Sequence, residues 1–326
     1  MFRQISSSDP KYLSATDILI GDMSDINYEF LLFDRPIVLL ANEWLKQNFP
    51  DIGIKTSMAG LSGAMERSLK DPGEFSKNRK TWLEKTIYKP DGASAKRVLD
   101  TILQYSRIKL PDIFFIHGDS EIRKSNLRAL MQEAVERGHK VNFVSKLNTE
   151  SREDAILVAV HFEDLSVKGK GYYVHLDHGL KGKGTANVEF SKKDYERHGY
   201  FTNINLHITA GQAGQERTEM LLGPLKERAV IAGYPKADDL MRFNTPENRL
   251  EVCRELGFDH TKPIITYAPA GEESCMKPGG SLNSSVIKEL RRIASGKGYN
   301  MLIKLKYPAD PFLVRMLKRL KKCLTL

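Results

Sequence analysis

A turn of five residues near the amino terminus carries the residue types of an anion-binding site. Residues 21–25 (GDMSD) follow an apolar run and precede a helical pattern. Free N–H groups and a hydroxyl at a helix N-terminus can hold a phosphate, which makes candidates of Gly21, Asp22, Ser24 and Asp25. A simple helix cap also needs Ser or Asp at such a place, and the carboxylate of Asp25 adds negative charge. The pattern therefore predicts either a helix cap or part of a phosphate site.

A histidine in the middle of the chain has the surroundings of a general base. His178 lies in residues 174–184 (VHLDHGLKGKG), where a strand ends in a loop rich in Gly and Lys. Neutral imidazole is suited to removing a proton from a hydroxyl nucleophile. Asp177 is placed to orient a neighbouring His, and Lys181 and Lys183 would attract anions. An isolated His is usually structural, but two His and an Asp at one strand end favour a catalytic role.

Two other places offer residues that contact a ligand or only support the fold. Residues 233–238 (GYPKAD) include Tyr234 and Asp238 and form a turn, which alone would be a rigid hinge between domains. Lys306 follows the last predicted strand, where a lysine either contacts phosphate or is solvated.

The elements that would position these residues alternate between strands and helices, which predicts an α/β protein with parallel sheets. Ligands of such proteins bind outside the carboxyl ends of the strands, so the loops at those ends are the candidate site. Predicted strands cover residues 17–20, 36–40, 112–116, 141–144, 155–160, 172–176, 204–209, 229–232, 263–267 and 300–305. Predicted helices cover 26–33, 66–103 with a break near 90–92, 125–137, 248–256 and 284–294.

The composition indicates a globular protein with an anionic partner. The 326 residues suit two domains, and the formal net charge is +9. Such a charge favours a phosphorylated substrate or an anionic lipid surface, and the absence of interleaved aromatic residues argues against nucleic acid. Cys253, Cys275 and Cys323 lack the spacing of metal ligands, so we predict buried or neutral thiols and no metal. We also predict no cofactor.

The carboxyl-terminal stretch predicts an amphipathic helix. Residues 312–322 (FLVRMLKRLKK) place apolar side chains at helical spacing and basic ones opposite. This helix either lies on an anionic membrane surface or packs on a sheet with its lysines solvated. No apolar run approaches the roughly 20 residues of a membrane span, and the first residues lack the apolar core of a signal peptide. We expect a cytoplasmic protein, either soluble or peripheral on the inner face of the membrane through residues 312–326.

Several separated motifs together resemble those of the CDP-glycerol glycerophosphotransferase family, the primases and polymerases of teichoic-acid synthesis. Residues 15–25 (ATDILIGDMSD) resemble the family segment "aDvLITDySS", and Glu29-Phe30 with residues 34–37 (DRPI) resemble its continuation. The remaining matches are residues 91–98 (DGASAKRV) to "DGkaseRv", His178-Gly179 to "WHGtplK", residues 233–238 to "GyPRnD", and residues 265–269 (ITYAP) to "iLYAPT".

The resemblance implies a type-B glycosyltransferase fold, in which two Rossmann-like domains face a cleft. It implies that His178 removes a proton from an acceptor hydroxyl, which attacks the glycerol-bearing phosphorus of a CDP-activated donor and releases CMP. The acceptor would be a polymer or a lipid-linked molecule of the cell envelope. The implied donor-phosphate residues are Gly21, Asp22, Ser24, Asp25 and Lys306. The implied supporting residues are Asp177, Gly179, Lys181, Lys183, Glu29, Pro269, Gly271, Tyr234 and Asp238.

Three departures from the family pattern leave other functions open. The second family His, in an "HP" motif, is absent at residues 305–308 (LKYP), the Ser-Ser pair is Ser24-Asp25, and the Trp before the HG motif is Asp177. One alternative is a UDP-sugar-dependent glycosyltransferase or epimerase of the same fold. Another is a catalytically silent nucleotide-binding or scaffold module.

The order of the motifs differs from that of the family. Residues 1–105 resemble the closing part of the donor-nucleotide domain, residues 106–245 the acceptor-side domain, and residues 246–326 the opening part of the donor domain. Either the chain is circularly permuted, or it is a slice from a multi-module protein. We predict one donor domain assembled from both ends of the chain.

Overall fold

The computed structural model describes residues 1–5, 9–22, 24–118, 120–146, 154–165, 170–177, 180, 203–221, 223–269 and 284–304. Over these residues the protein is α/β, with two sheets of six strands each, and every strand pair is parallel. This architecture agrees with the Rossmann-like class predicted from the sequence. No helix within the described ranges is long and apolar enough to cross a membrane.

The strands and helices follow one another along both units. The strands are β1 (Phe2–Ile5), β2 (Ile18–Gly21), β3 (Ile37–Leu40), β4 (Ile54–Thr56), β5 (Asp112–Ile116), β6 (Lys140–Val144), β7 (Ala155–Ala159), β8 (Tyr172–Leu176), β9 (Leu206–Thr209), β10 (Ala229–Ile231), β11 (Ile264–Tyr267) and β12 (Asn300–Lys304). The α-helices are Pro10–Ser14, Ile26–Phe30, Glu43–Asn48, Leu61–Lys70, Ser76–Thr86, Ser94–Ser106, Glu121–Glu136, Gln212–Leu221, Pro235–Arg242, Pro246–Leu256 and Ser284–Lys297. Short 3-10 helices cover Leu31–Phe33, Phe162–Leu165 and Gly223–Arg228.

The chain divides into two compact units. The first contains the described parts of Met1–Asn27, Arg35–Phe75 and Pro246–Leu326, and the second those of Tyr28–Asp34 and Ser76–Thr245. Residues 76–105, which the motif order assigns to the first segment, lie in the second unit.

The sheet of the first unit has the order β1-β12-β11-β2-β3-β4 and thus takes strands from both ends of the chain. Its central strands β2, β3 and β11 are buried over their whole length, as expected for parallel strands covered on both faces. At the junction of β2 and β11, the Thr16 and Thr266 hydroxyls share a hydrogen bond of 2.6 Å. The Asp17 carboxylate accepts from the Ile264 N–H at 2.7 Å and pairs with Arg249 at 2.8 Å. These contacts hold the two distant segments in one register.

The sheet of the second unit has the order β10-β9-β8-β7-β5-β6. One face packs on the helix Ser94–Ser106 and the helix Glu121–Glu136, through a core that includes Val98, Leu130 and Val174. The hydrophobic positions of both helices recur at helical spacing, so each buries one stripe against the sheet.

Several predicted elements differ in extent from those observed. The predicted helix 66–103 is three helices, because residues 71–73 (DPG) and 90–92 (PDG) each interrupt the helical hydrogen bonds. The helix predicted from residue 125 begins at Glu121, since the Ser120 hydroxyl accepts from the Arg123 N–H at 3.5 Å. The short edge strands β1 and β4 and the helix Gln212–Leu221 were missed because their hydrophobic patterns are weak.

Candidate active site

The turn at 21–25 lies at the place where the sheet of the first unit reverses its winding. From β11 the chain continues to β12 on one side, whereas from β2 it continues to β3 on the other. Ligands of open parallel sheets bind outside the carboxyl ends of the two strands that flank such a switch point. Gly21 ends β2, and buried Pro269 follows β11 after the Ala268 N–H donates to Ile20 O at 3.0 Å. The structure therefore brings the predicted residues Gly21 and Pro269 to one edge.

The turn is tied by Asn27, which the sequence analysis missed. Asn27 is fully buried, and its Nδ2 donates to Asp22 O at 2.6 Å and to Ser24 O at 2.9 Å. A Cβ on Gly21 would lie 2.0 Å from Asn27 Oδ1, so position 21 has room only for glycine. The available signal in the sequence was an Asn six residues after the Gly, since the Asn27 side chain occupies the space that a Cβ at position 21 would need.

Ser24 acts at least as a helix cap. Its Oγ accepts from the Ile26 N–H at 3.5 Å, and Ser24 O accepts from the Asn27 N–H at 3.2 Å. The following helix, Ile26–Phe30, has five residues, too few for a strong macrodipole. Asp22 is buried and Asp25 is half-buried. Any phosphate here would be held by the turn itself rather than by the dipole.

Glu29 and Tyr234, two predicted supporting residues, meet inside the second unit. Glu29 Oε1 lies 2.8 Å from the Tyr234 hydroxyl and accepts from Lys236 Nζ at 2.7 Å. The same hydroxyl lies 3.0 Å from Asn126 Oδ1. All four side chains are largely or fully buried, so they form a polar cluster that joins three separate segments of the unit. The roles of Lys236 and Asn126 depend on tertiary contacts. Lys236 lies in the recognised GYPKAD segment but was not singled out, and Asn126 had no signal in the sequence.

Asp238 caps a helix of the second unit. Its two carboxylate oxygens accept from the Ser94 N–H at 3.0 Å and the Ala95 N–H at 2.7 Å, at the start of Ser94–Ser106. Burial raises the pKa of Asp238, although these hydrogen bonds oppose that effect. Gly233 has a φ of 116°, and a Cβ there would lie 3.1 Å from Ser94 Oγ. The GYPKAD and DGASAKRV motifs therefore pack against each other and are joined by hydrogen bonds, so the GYPKAD turn is not a free hinge.

The strand end that leads to His178 is held by the helix Gln212–Leu221. The Asp177 N–H donates to Ile208 O at 2.8 Å, and its buried carboxylate forms an ion pair with Arg217. A Cβ on Gly214 would lie 2.9 Å from Asp177 Oδ2. His178, Gly179, Lys181, Lys183, Gly271 and Lys306 lie outside the described residues, and so does the predicted helix 312–322.

A buried pair of histidines lies beside this strand end. His175 Nδ1 and His207 Nδ1 are 2.9 Å apart, and His207 Nε2 is 3.0 Å from Thr218 Oγ1. The Phe162 ring stacks on His175 at 3.7 Å between ring centroids. Burial lowers the pKa of His207 to about 4, with a smaller opposing effect from Asp177. His207 is therefore neutral at pH 7.

Potential metal ligands and thiols are the remaining groups of chemical interest in the described part of the chain. No group of three or more His, Cys, Asp or Glu side chains is arranged to hold a metal ion within those ranges. Cys253 is buried and free, and burial raises the pKa of its thiol. Cys275 and Cys323 lie outside the described residues.

Comparison with known proteins supports the resemblance over one part of the chain. The sequence model of the family described as CDP-glycerol:poly(glycerophosphate) glycerophosphotransferase matches residues 4–104. The match includes the turn at 21–25, Glu29 and the DGASAKRV motif, and confirms the predicted family resemblance for this segment.

The other comparisons add no functional information. No curated protein matches the chain. A solved structure of the biosynthetic arginine decarboxylase from Campylobacter jejuni aligns with 10% identity over 66% of this chain and 43% of its own, with a TM-score of 0.15. A likeness this low carries no argument about fold or function.

Proposed function

We propose that the protein transfers glycerophosphate, or a related group, from a CDP-activated donor to a hydroxyl of a polymer or lipid-linked acceptor in cell-envelope synthesis. The observation that carries this proposal is the family match over residues 4–104, within which Gly21 ends the strand at the switch point of a parallel sheet. Nucleotides and other ligands bind at the switch point of open α/β sheets, which supports placing the donor here.

The proposal includes a type-B glycosyltransferase arrangement with the chain segments in permuted order. Counted from β11 through β12 and on from β1 to β4, the strands of the first sheet have the order 3-2-1-4-5-6. This is the strand order of the Rossmann fold, and it supports a donor domain assembled from both chain ends. A slice from a multi-module protein would explain the same order, if its two pieces form a surrogate domain.

In the proposed reaction, His178 accepts the proton of the acceptor hydroxyl. The oxygen then forms a bond to the glycerol-bearing phosphorus, the bond from that phosphorus to the CMP oxygen breaks, and CMP carries away the electron pair. Gly21, Asp22, Ser24, Asp25 and Lys306 are the proposed donor-phosphate residues. The carboxylates of Asp22 and Asp25 would repel a phosphate. Its charge would therefore be met by hydrogen bonds from backbone N–H groups and the Ser24 hydroxyl, and by lysines.

The test measures CMP released from CDP-glycerol by the purified protein with a primed acceptor. The wild-type protein should release CMP, and His178→Ala should reduce the rate by about 100-fold or more, as expected for a lost general base. His260→Ala, an exposed position in the first unit, serves as the matched control and should keep the wild-type rate. Equal rates in His178→Ala and wild type would exclude the proposed role of His178.

Binding titrations with CDP and UDP donors separate the other two functions. The missing HP-type His and the Asp177 replacement are the observations in favour of them. Tighter binding of a UDP-sugar would favour a glycosyltransferase or epimerase. Nucleotide binding without turnover, or no nucleotide binding, would favour a silent module. Attachment to an anionic membrane through residues 312–326 stays a proposal, testable by sedimentation with vesicles.

A further inference from the structure

The helix Gln212–Leu221 contacts the end of β8, which precedes His178, and the neighbouring strand β9. Arg217 pairs with Asp177, and both side chains are largely buried. One residue further along the helix, Thr218 contacts His207, which in turn contacts His175. Gly214, on the same helix face, leaves the space that the Asp177 carboxylate occupies. One face of this helix, formed by Gly214, Arg217 and Thr218, thus packs against Asp177 after β8 and His207 in β9.

The hydrogen bonds determine which nitrogen of each histidine carries the proton. Thr218 Oγ1 donates to Gly214 O at 2.9 Å, and because a carbonyl only accepts, this bond uses the one hydroxyl proton. His207 Nε2 must therefore donate to Thr218 Oγ1, which leaves His207 Nδ1 as an acceptor when the ring is neutral. His175 Nδ1 must then donate across the 2.9 Å contact, which leaves its Nε2 as the basic nitrogen.

We propose that Arg217 and Thr218 are positioning residues for the transfer reaction: they hold the end of β8 and set the tautomers of His175 and His207. This inference rests on the proposed function, in which His178 is the base. Asp177 links the two statements, because its carboxylate is held by Arg217 and its carbonyl carbon is bonded to the His178 nitrogen. Displacing this strand end would move the residue that follows it, and a displacement near 1 Å can lower a rate by about 100-fold.

Kinetic measurements on two pairs of variants test the positioning role. Thr218→Val, which removes the hydroxyl, should lower the kcat of CMP release by about 10-fold and leave the KM for CDP-glycerol unchanged, whereas Thr218→Ser should stay near wild type. Arg217→Met should lower kcat by about 10- to 100-fold, and Arg217→Lys should recover most of the loss. Arg128→Met removes a comparable ion pair with buried Asp239 between two helices of the same unit, and it should keep the wild-type kcat.

Nitrogen-15 resonances of the histidine rings test the tautomers directly and do not depend on turnover. At pH 7 the wild-type protein should show His207 protonated at Nε2 and His175 protonated at Nδ1. This pattern should persist in Thr218→Ser and be lost in Thr218→Val. If Arg217→Met does not fold, the Thr218 pair alone decides, since both of its variants are close in volume to threonine.

The outcomes separate the inference from the proposed function. A wild-type protein that releases no CMP would refute the function, and with it the claim of positioning for transfer, while the tautomer pattern would still stand as measured. An active wild-type protein with mixed tautomers, or with equal kcat in Thr218→Val and Thr218→Ser, would overturn the inference and leave the function intact.

Discussion

Acidification should destabilise the second unit through His207. Its pKa is about 4 in the folded protein against an ordinary value of 6.5, because burial penalises the charged ring. Between these two values the unfolded chain binds more protons than the folded one, so the free energy of unfolding falls as the pH falls through this window. The full difference corresponds to about 3 kcal/mol, and no discount for solvent screening applies because His207 is 1% exposed.

The assay is urea unfolding at a series of pH values from 7 to 4, comparing wild type with His207→Gln. Glutamine keeps an N–H group for Thr218 but does not titrate, so the variant should be less stable at pH 7 yet lose about 3 kcal/mol less on acidification. His260→Gln, at an exposed position, is the matched control and should follow the wild-type profile. Parallel pH profiles for wild type and His207→Gln would refute the reasoning, since they would mean that burial does not lower the pKa of His207.

Two further predictions concern residues that the structure assigns to support. Gly21→Ala should lower the free energy of unfolding in urea titrations by about 1–3 kcal/mol, because its Cβ would displace Asn27. The control Gly63→Ala, which has open space on an exposed helix face, should raise it by up to about 1 kcal/mol. Equal effects at both positions would contradict the contact between Gly21 and Asn27. Asp238→Ala should cost about 1–2 kcal/mol by leaving two N–H groups of the helix Ser94–Ser106 without their acceptor, and wild-type amide-exchange protection at Ser94 and Ala95 would contradict this role.

The motifs that resemble the family were visible in the sequence, but the role of their residues depended on tertiary contacts. The DGASAKRV and GYPKAD motifs were visible as separate strings, and each was open to a functional or a structural interpretation. Their joint role appeared only when Asp238 was found at the first turn of Ser94–Ser106, 143 and 144 residues away in the chain from its two donors. These two N–H groups occupy about half of the acceptor sites of the Asp238 carboxylate.

Residues that act by contact alone escaped prediction altogether. Arg217 and Thr218 have ordinary residue types at ordinary positions, and nothing in the local sequence distinguishes them, whereas Asn27 and Lys236 stand near recognised motifs that do not reveal their partners. Each becomes specific because the fold largely removes it from water beside particular polar partners. Burial makes an unpaired polar group costly, so the partner found in the fold determines the role of the side chain.

The sequence by itself determined the α/β class, the places where most strands end in loops, and the family resemblance over the first hundred residues. These properties follow from patterns with a period of a few residues, because continuous apolar runs mark buried parallel strands and Gly, Pro and Ser mark their ends. Only the tertiary structure decided that β2 lies beside β11, that Gly21 stands at the switch point of that sheet, and that Thr218, His207 and His175 are in contact. Those facts depend on pairings between residues far apart in the chain, which no local pattern encodes.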